Sequence, residues 1–436
     1  MAIGDGRGPH VEEATDALVD GDQTLSPGGA RAALAHRDFR IVWGGTFASN
    51  IGTWMQNVLL GAFGYELTHS AGFVGVLFFA QLGPLLFLAT LGGVLADLVD
   101  RRKLLIWMQL EQLVFSLVLA ALVATPHPSR AGIVACVLVI GIGNALSAPA
   151  LSAILPTLVP RQDLPGAVSL QSVQMNLSRV IGPAIGALIY SHTGAGAVFT
   201  INAGTYLFAI AGLLLARYNV RNETTIKERG LARLLSGFRI AARDRLVKRI
   251  LIAMTVFSFF SLTFVGLMPA IAASNFGIRA KSVEYGLLYA GFGFGAAAGA
   301  VSVGTIFVSR SKVRSVRLGL LAFTVLLVLF AVVREPGPAY PITIALGYAY
   351  FVVITSLSTV LQNHLRDEVR GRIMALWVMA FGGTVPLGVL AGGYAARLTS
   401  LTTVLLVGAA VAFGLVFWID LAAHTPSGPH LGGTLR

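Results

Sequence analysis

The sequence predicts an all-α polytopic membrane protein: twelve transmembrane helices in two pseudo-symmetric six-helix bundles. Three observations carry that prediction. Of 436 residues, 55% are hydrophobic and only 12% are charged, with a mean hydropathy of +0.76, whereas a soluble domain carries about 25% charged residues. Apolar runs recur along the chain, many long enough to cross a ~30 Å hydrocarbon core as a helix. A basic stretch at 217–249, with ten Lys or Arg, divides those runs six and six.

Residues 1–35 are polar and lack the apolar core of a signal peptide, so they are expected to be a disordered tail and the first span must start insertion. The first bundle occupies 36–216, with spans at 41–66, 71–97, 104–124, 131–156, 166–190 and 195–216. The linker, 217–249, opens into an amphipathic piece (LARLLSGFRIAARDRLVKRI) suited to lying on a membrane surface. The second bundle occupies 250–421, with spans at 250–274, 284–308, 316–333, 339–363, 371–396 and 401–420; residues 422–436 form the other tail. The tails and the loops on their side hold 26 of the 32 basic residues, and the opposite loops hold five: Arg130, Arg279, Lys281, Arg334 and Arg397. Basic residues collect on the cytoplasmic side, which predicts a multi-pass cell (inner or plasma) membrane protein with both termini cytoplasmic. That asymmetry accounts for the net charge of +12 without a nucleic-acid partner. The single cysteine, Cys136, excludes an intrachain disulfide.

The two halves resemble each other. Arg161 and Asp163 precede the fifth span, with Pro183 twenty-two residues after the arginine; Arg366 and Asp367 precede the eleventh, with Pro386 twenty after. Gly182 and Gly186 have counterparts in Gly388 and Gly392, and the eighth span carries Gly291, Gly295 and Gly299. Small residues at this spacing let helix backbones approach closely. Two repeated halves with a substrate held between them is the plan of a secondary transporter.

Polar residues inside spans are expensive and therefore informative. In the fifth span Ser169, Ser172, Asn176, Arg179 and Pro183 recur at intervals of three and four, which places them on one face. Arg179 lies about 13 helical residues from the nearest charged loop, roughly 20 Å at 1.5 Å per residue, near the midplane. Three readings stay open for it: a countercharge for an anionic substrate, a partner for an acidic residue in proton coupling, or a permanent salt bridge between helices. In the first span Ser49, Asn50, Thr53, Trp54, Gln56 and Asn57 fall within an arc of about 160°. They either line a wet cavity or bond to neighbouring helices, because lipid satisfies none of them. Glu111, roughly 10 Å into the third span, is the acidic candidate for coupling.

The seventh span is aromatic, and Phe260 and Phe264, on one face, either stack on a planar or greasy substrate or face lipid; Tyr285, Tyr289, Tyr348 and Trp377 are similar, with polar tips. Trp43, Trp107 and Trp418, near span ends, are interface anchors, and Glu66, Glu284 and Asp420 are interfacial. His69, His192 and His364 show no metal-ligand spacing. No nucleotide-binding loop, catalytic triad or metal cluster is present, so neither an enzyme nor a cofactor is expected.

Between spans two and three, Gly93-Val94-Leu95-Ala96-Asp97 followed by Asp100-Arg101-Arg102-Lys103 resembles the signature loop of the major facilitator superfamily. Gly182-Pro183-x-x-Gly186 resembles the fifth-span motif of that superfamily's exporters. The stretches Asn144–Ser172 and Leu365–Pro386, the latter centred on Arg370-Gly371-Arg372, are similar to the branch that includes the enterobactin exporter and macrolide efflux pumps. The resemblance covers about residues 36–421. Leu98, Asp100 and Ser178 depart from the common patterns, and the matching loop of the second half, Val308–Arg317, keeps only its charges.

The resemblance implies a cytoplasmic gate: Asp97, with Gly93, capping the facing end of the eleventh helix, and Arg101, Arg102, Arg370 and Arg372 as countercharges. It also implies that the first span borders a central cavity, whose expected lining is Asn50, Thr53, Trp54, Asn57, Ser172, Asn176, Arg179, Phe260, Phe264 and Tyr289. Glu111, Arg179 and Asp97 are the coupling candidates. The expected function is a monomeric secondary-active exporter of an amphipathic small molecule, a drug or siderophore, working by alternating access and driven by proton influx. An importer, a lipid or lysophospholipid mover on the same fold, and a non-transporting sensor or scaffold are the alternatives.

Overall fold

The computed structural model describes residues 28–217, 231–307 and 310–419, apart from the side chains of 89–98, 231–235 and 367–368, and every element among them is helical. A short helix α1 (Ala30–Ala35) leads into the first bundle: α2 (Arg37–Thr68), α3 (Ala71–Leu98), α4 (Arg101–Val123), α5 (Arg130–Leu158), α6 (Leu164–Thr193) and α7 (Ala195–Leu215). The linker helix α8 (Leu231–Arg243) precedes the second bundle. That bundle comprises α9 (Arg245–Phe276), α10 (Val283–Gly304), α11 (Lys312–Val332), α12 (Pro336–His364), α13 and α14 (Leu401–Trp418). Helix α13 runs as Asp367–Val378, a π-turn at Met379–Gly383, and Thr384–Leu398; α9 carries a π-turn at Phe257–Ser261. Ten of the twelve spanning helices are apolar enough to be recognised as spans by hydropathy. The two that are not, α2 and α6, carry the polar faces.

Lipid explains the outer surface. On α4, Leu110, Val114, Leu117 and Val118 are all exposed and apolar, at helical spacing. Inside, aromatic packing builds the second bundle. Phe264 lies with its ring centre 5.5 Å from Phe292, 6.1 Å from Phe323 and 6.2 Å from Phe330. It is wholly buried there, which corrects the expectation that it lines the cavity. The reason is packing: the rings of Phe292, Phe323 and Phe330 enclose it within the second bundle. Phe260 stays 40% exposed, with its carbonyl against Gly408 of α14.

Two expectations at bundle edges change. The tail was expected to run to residue 35, yet 28–35 packs on the first bundle. Gly28 N–H donates to Asp163 Oδ1 at 3.1 Å, Ala32 and Ala33 are buried, and Gly166 leaves room for the Gly29 carbonyl. The amphipathic linker piece is split. Asp244 caps α9 by accepting from the N–H groups of Leu246 and Val247, so Arg245–Ile250 belongs to the seventh span. Helix α8 itself packs on α13, with Gly237 against the Arg372 backbone. The remaining tail residues lie outside the described ones.

The bundles meet through α3 with α13, α6 with α10, and α2 with α9. Gly75 abuts the Val389 carbonyl, Gly393 that of Ala71, Gly61 faces Pro269, and Gly286 faces Ala187. All four approaches lie in the half of the molecule remote from the tails and linker, here termed the far end. There the Lys281 ammonium also lies 5.9 Å from the Tyr190 ring centre.

Candidate functional site

Helix α6 positions the site. Gly182 and Gly186 let it close onto α2: a side chain at either would strike Ile51, Trp54, Met55 or Leu59. That contact turns the neighbouring face of α6, from Ser169 to Ala187, toward the second bundle. Its far part is covered, since Pro183 is buried and Ala187 meets Gly286 of α10. Its part nearer the tails is not covered, and Ser169 and Ser172 are exposed. This face of α6 is therefore covered at the far end and exposed toward the end that bears both tails.

Arg179 sits where the covered part meets the open part. Fifteen residues from Leu164 in a 30-residue helix, it is about 22 Å from the helix start at 1.5 Å per residue. Its guanidinium carbon lies 4.8 Å from the ring centre of Trp54 on α2 and 5.0 Å from that of Phe351 on α12. One cation is thus held by aromatic residues from both bundles. Its Nε is buried and has no hydrogen-bond partner among the described residues. The ionisable neighbours acting on it are Tyr350 and Tyr289. The permanent salt bridge is not among the ion pairs of the described residues. Asn176 spends its amide on the Ser172 carbonyl, 2.9 Å away.

The polar arc of α2 divides between its two readings. Gln56 is buried and accepts from Ser116 of α4 (3.1 Å) and Asn202 of α7 (2.8 Å). Ser49 contacts Gln109 of α4, and Thr53 pairs with the buried Tyr206 hydroxyl at 3.4 Å. These join helices within the first bundle, which corrects Thr53 as a cavity residue. Such bonds are worth about 0.6 kcal/mol each on average inside membranes. Asn57 takes a short hydrogen bond from Gln81 of α3. Trp54 underlies Arg179, and Asn50 is half-buried with no described side-chain bond. Tyr289 is only 6% exposed and packs edge-on against Phe292, close enough to act on Arg179.

Glu111 is a separate feature. Both its carboxylate oxygens are buried without a partner among the described residues, and one lies against Gly143 of α5. No ion pair joins it to Arg179 among the described residues, so the two coupling candidates do not pair there. At the gate, α3 contains Gly93 and Asp97, whose side chains lie outside the described ones. Asp100 caps α4 by accepting from Arg102 N–H (2.8 Å) and Lys103 N–H (3.1 Å), which gives its departure from the signature pattern a local role. Arg101 reaches the Ala153 carbonyl, Arg102 that of Leu214, and Arg370 that of Leu365. Gly291, Gly295 and Gly299 seat α10 on Ile344 and Tyr348 of α12, while Gly388 meets Phe259 and Gly392 meets Thr263 and Val404.

Sequence reasoning missed Phe351 and Tyr350. The only signal was an aromatic pair in the middle of an apolar span, and lipid-facing aromatics look the same.

Comparison with known proteins agrees with this architecture. The family model described as transmembrane secretion effector matches residues 28–429. The chain belongs to that family, and it is a transporter of the major facilitator type rather than an enzyme. It is 28% identical over 390 residues to the enterobactin exporter EntS of Salmonella typhi, and 29% identical over 390 residues to that of Shigella boydii serotype 18. Each alignment covers 87% of this chain and 90% of the relative. Among solved structures, a mutant of the nucleoside transporter NupG superposes with a TM-score of 0.73 at 13% identity, over 87% of this chain and 97% of that one. A bacterial homologue of the iron transporter ferroportin, in an inward-facing state, gives 0.68 at 13% identity, over 88% and 98%. At that identity the structures speak for the fold alone.

Proposed function

We propose that this transporter is a secondary-active exporter of amphipathic small molecules, of the drug or siderophore kind, working by alternating access in the cell (inner or plasma) membrane as a monomer. The observation that carries the reading is the single face of α6, covered by α10 at the far end and exposed toward the tails. Moving the far ends apart and the tail ends together would transfer that face from one side to the other. In this reading the tail end faces the cytoplasm, which the excess of basic residues in the tails and linker supports, and cargo is loaded from that side. The likeness to enterobactin exporters supports export of an amphiphile of that general kind.

Inward proton movement supplies the energy in this reading, and Glu111 is the residue to hold the proton. A buried carboxylate without a partner is costly when ionised and acceptable when neutral. Its exchange with solvent in only one state would link proton flow to rocking of the bundles. Asp97 is assigned to a latch at the tail end, made when that end closes.

Overproduction in cells should lower their content of a fluorescent amphiphile, and a protonophore should abolish the effect. Accumulation on energisation would instead mean import and would sink the export reading. Glu111→Gln should lose uphill flux driven by a pH gradient while retaining downhill exchange. Asp97→Asn should reduce transport with insertion intact, and full transport by that variant would count against the latch.

A further inference from the structure

We infer that the cargo carries a negative charge: the centre of the molecule is a built site for a carboxylate, sulfonate or phosphate attached to a flat apolar group. This rests on the exporter reading for transport, but the binding itself is a separate matter. Arg179 lies about 22 Å from the start of α6, beyond the reach of a snorkelling side chain. A cation at such a depth is costly wherever it meets hydrocarbon. Aromatic rings attract a guanidinium, so Trp54 and Phe351 stabilise it there without supplying a countercharge.

What the rings leave open decides the chemistry. Both rings face the guanidinium carbon of Arg179 and neither offers a hydrogen-bond acceptor, so its N–H donors still require one. Among the described residues the buried Nε has no acceptor. The ionisable groups acting on the cation are the phenols of Tyr350 and Tyr289, which are neutral hydrogen-bond donors at ordinary pH. Arg179 is therefore a charge held beside two rings, with no acceptor for its Nε among the described residues. The ligand that complements such a group is an anion accepting its hydrogen bonds. The flat part of the same molecule would follow the ring of Trp54 or Phe351. Because those rings belong to different bundles, the bound anion contacts both, as a cargo that times their rocking must.

A matched set of probes tests this on the full chain in nanodiscs: dansylglycine (anionic), dansylglycinamide (neutral) and dansylethylenediamine (cationic), followed by dansyl fluorescence against empty nanodiscs. The wild type should bind the anion at least roughly tenfold more tightly than the neutral analogue, the size of one charge-assisted contact. Arg179→Gln should lose that preference. Arg179→Lys should keep its sign while binding all three probes more weakly, since an ammonium cannot stack. Trp54→Ala should weaken all three about equally. Each variant is checked for an unchanged thermal transition, and Arg179→Lys guards against a Gln variant that fails to fold. Equal or weaker binding of the anion by the wild type, including no binding at all, overturns the inference, as does a preference that survives Arg179→Gln. Anion preference without efflux would sink the exporter reading alone, and efflux of cations indifferent to Arg179 would sink this one alone.

Discussion

A guanidinium beside two aromatic rings and a carboxylate with no hydrogen-bond partner among the described residues are the two groups on which transport chemistry would turn. They respond to different measurements because they sit in different places. Arg179 faces the space between the bundles, and Glu111 lies inside the first bundle against Gly143. Glu111→Gln should therefore leave the charge preference for dansyl probes unchanged while abolishing its coupling to a pH gradient. A Glu111→Gln variant with wild-type gradient-driven flux would remove this residue from the coupling scheme. Gly143→Val addresses the same point from the other side. A side chain there would collide with the carboxylate, and purified protein should lose thermal stability by a few degrees without any change in probe selectivity.

At the scale of elements, two loops do matching work with their residues exchanged. Asp163, before α6, accepts from His36 Nε2 (2.8 Å), just ahead of α2. Asp244, just ahead of α9, pairs with His364 Nε2 (2.7 Å) at the end of α12, before α13. Each pair ties the start of a bundle's first span to the start of its fifth, and neither was anticipated beyond the loop spacing. The His36 hydrogen bond, with help from the Gly28 N–H, holds the Asp163 carboxyl below its usual range. For Asp244 burial pushes the other way, but the bonds from His364 and Val247 outweigh it and the net direction is again down. A carboxyl depressed in the folded state adds stability above its unfolded pKa, about 4, and loses it as pH falls through the lower folded value. Asp163→Asn with Asp244→Asn should accordingly lower the melting temperature at pH 7 and flatten its fall below about pH 4. A double variant with the wild-type acid profile would show that the pairs add nothing.

Over the whole molecule, closure at the far end depends on backbone contact between bundles. Gly286→Leu should wedge α10 away from Ala187, hold the far end open and cut efflux by roughly tenfold or more with insertion retained. Labelling of Lys281→Cys by an impermeant thiol reagent added outside should rise in that background. The native Cys136 is buried and gives little signal of its own. Unchanged labelling would mean that this contact does not hold the far end shut.

Periodicity in the chain determined the spans, their division six and six, and the shared face of Ser169, Ser172, Asn176 and Arg179, because a helix in lipid must satisfy its own backbone and sort its side chains by face. Even the failure of α2 and α6 to look fully apolar was informative, since those two helices carry the polar faces. Tertiary structure decided what the faces meet. The rings of Phe292, Phe323 and Phe330 enclosed Phe264 in the core, neighbours on α4 and α7 claimed Gln56 and Thr53, and residues some 170 positions apart put Phe351 over Arg179. Facing is a local property of a helix, readable from spacing; partnership between helices depends on tilt, phase and close approach, which no single stretch of chain encodes.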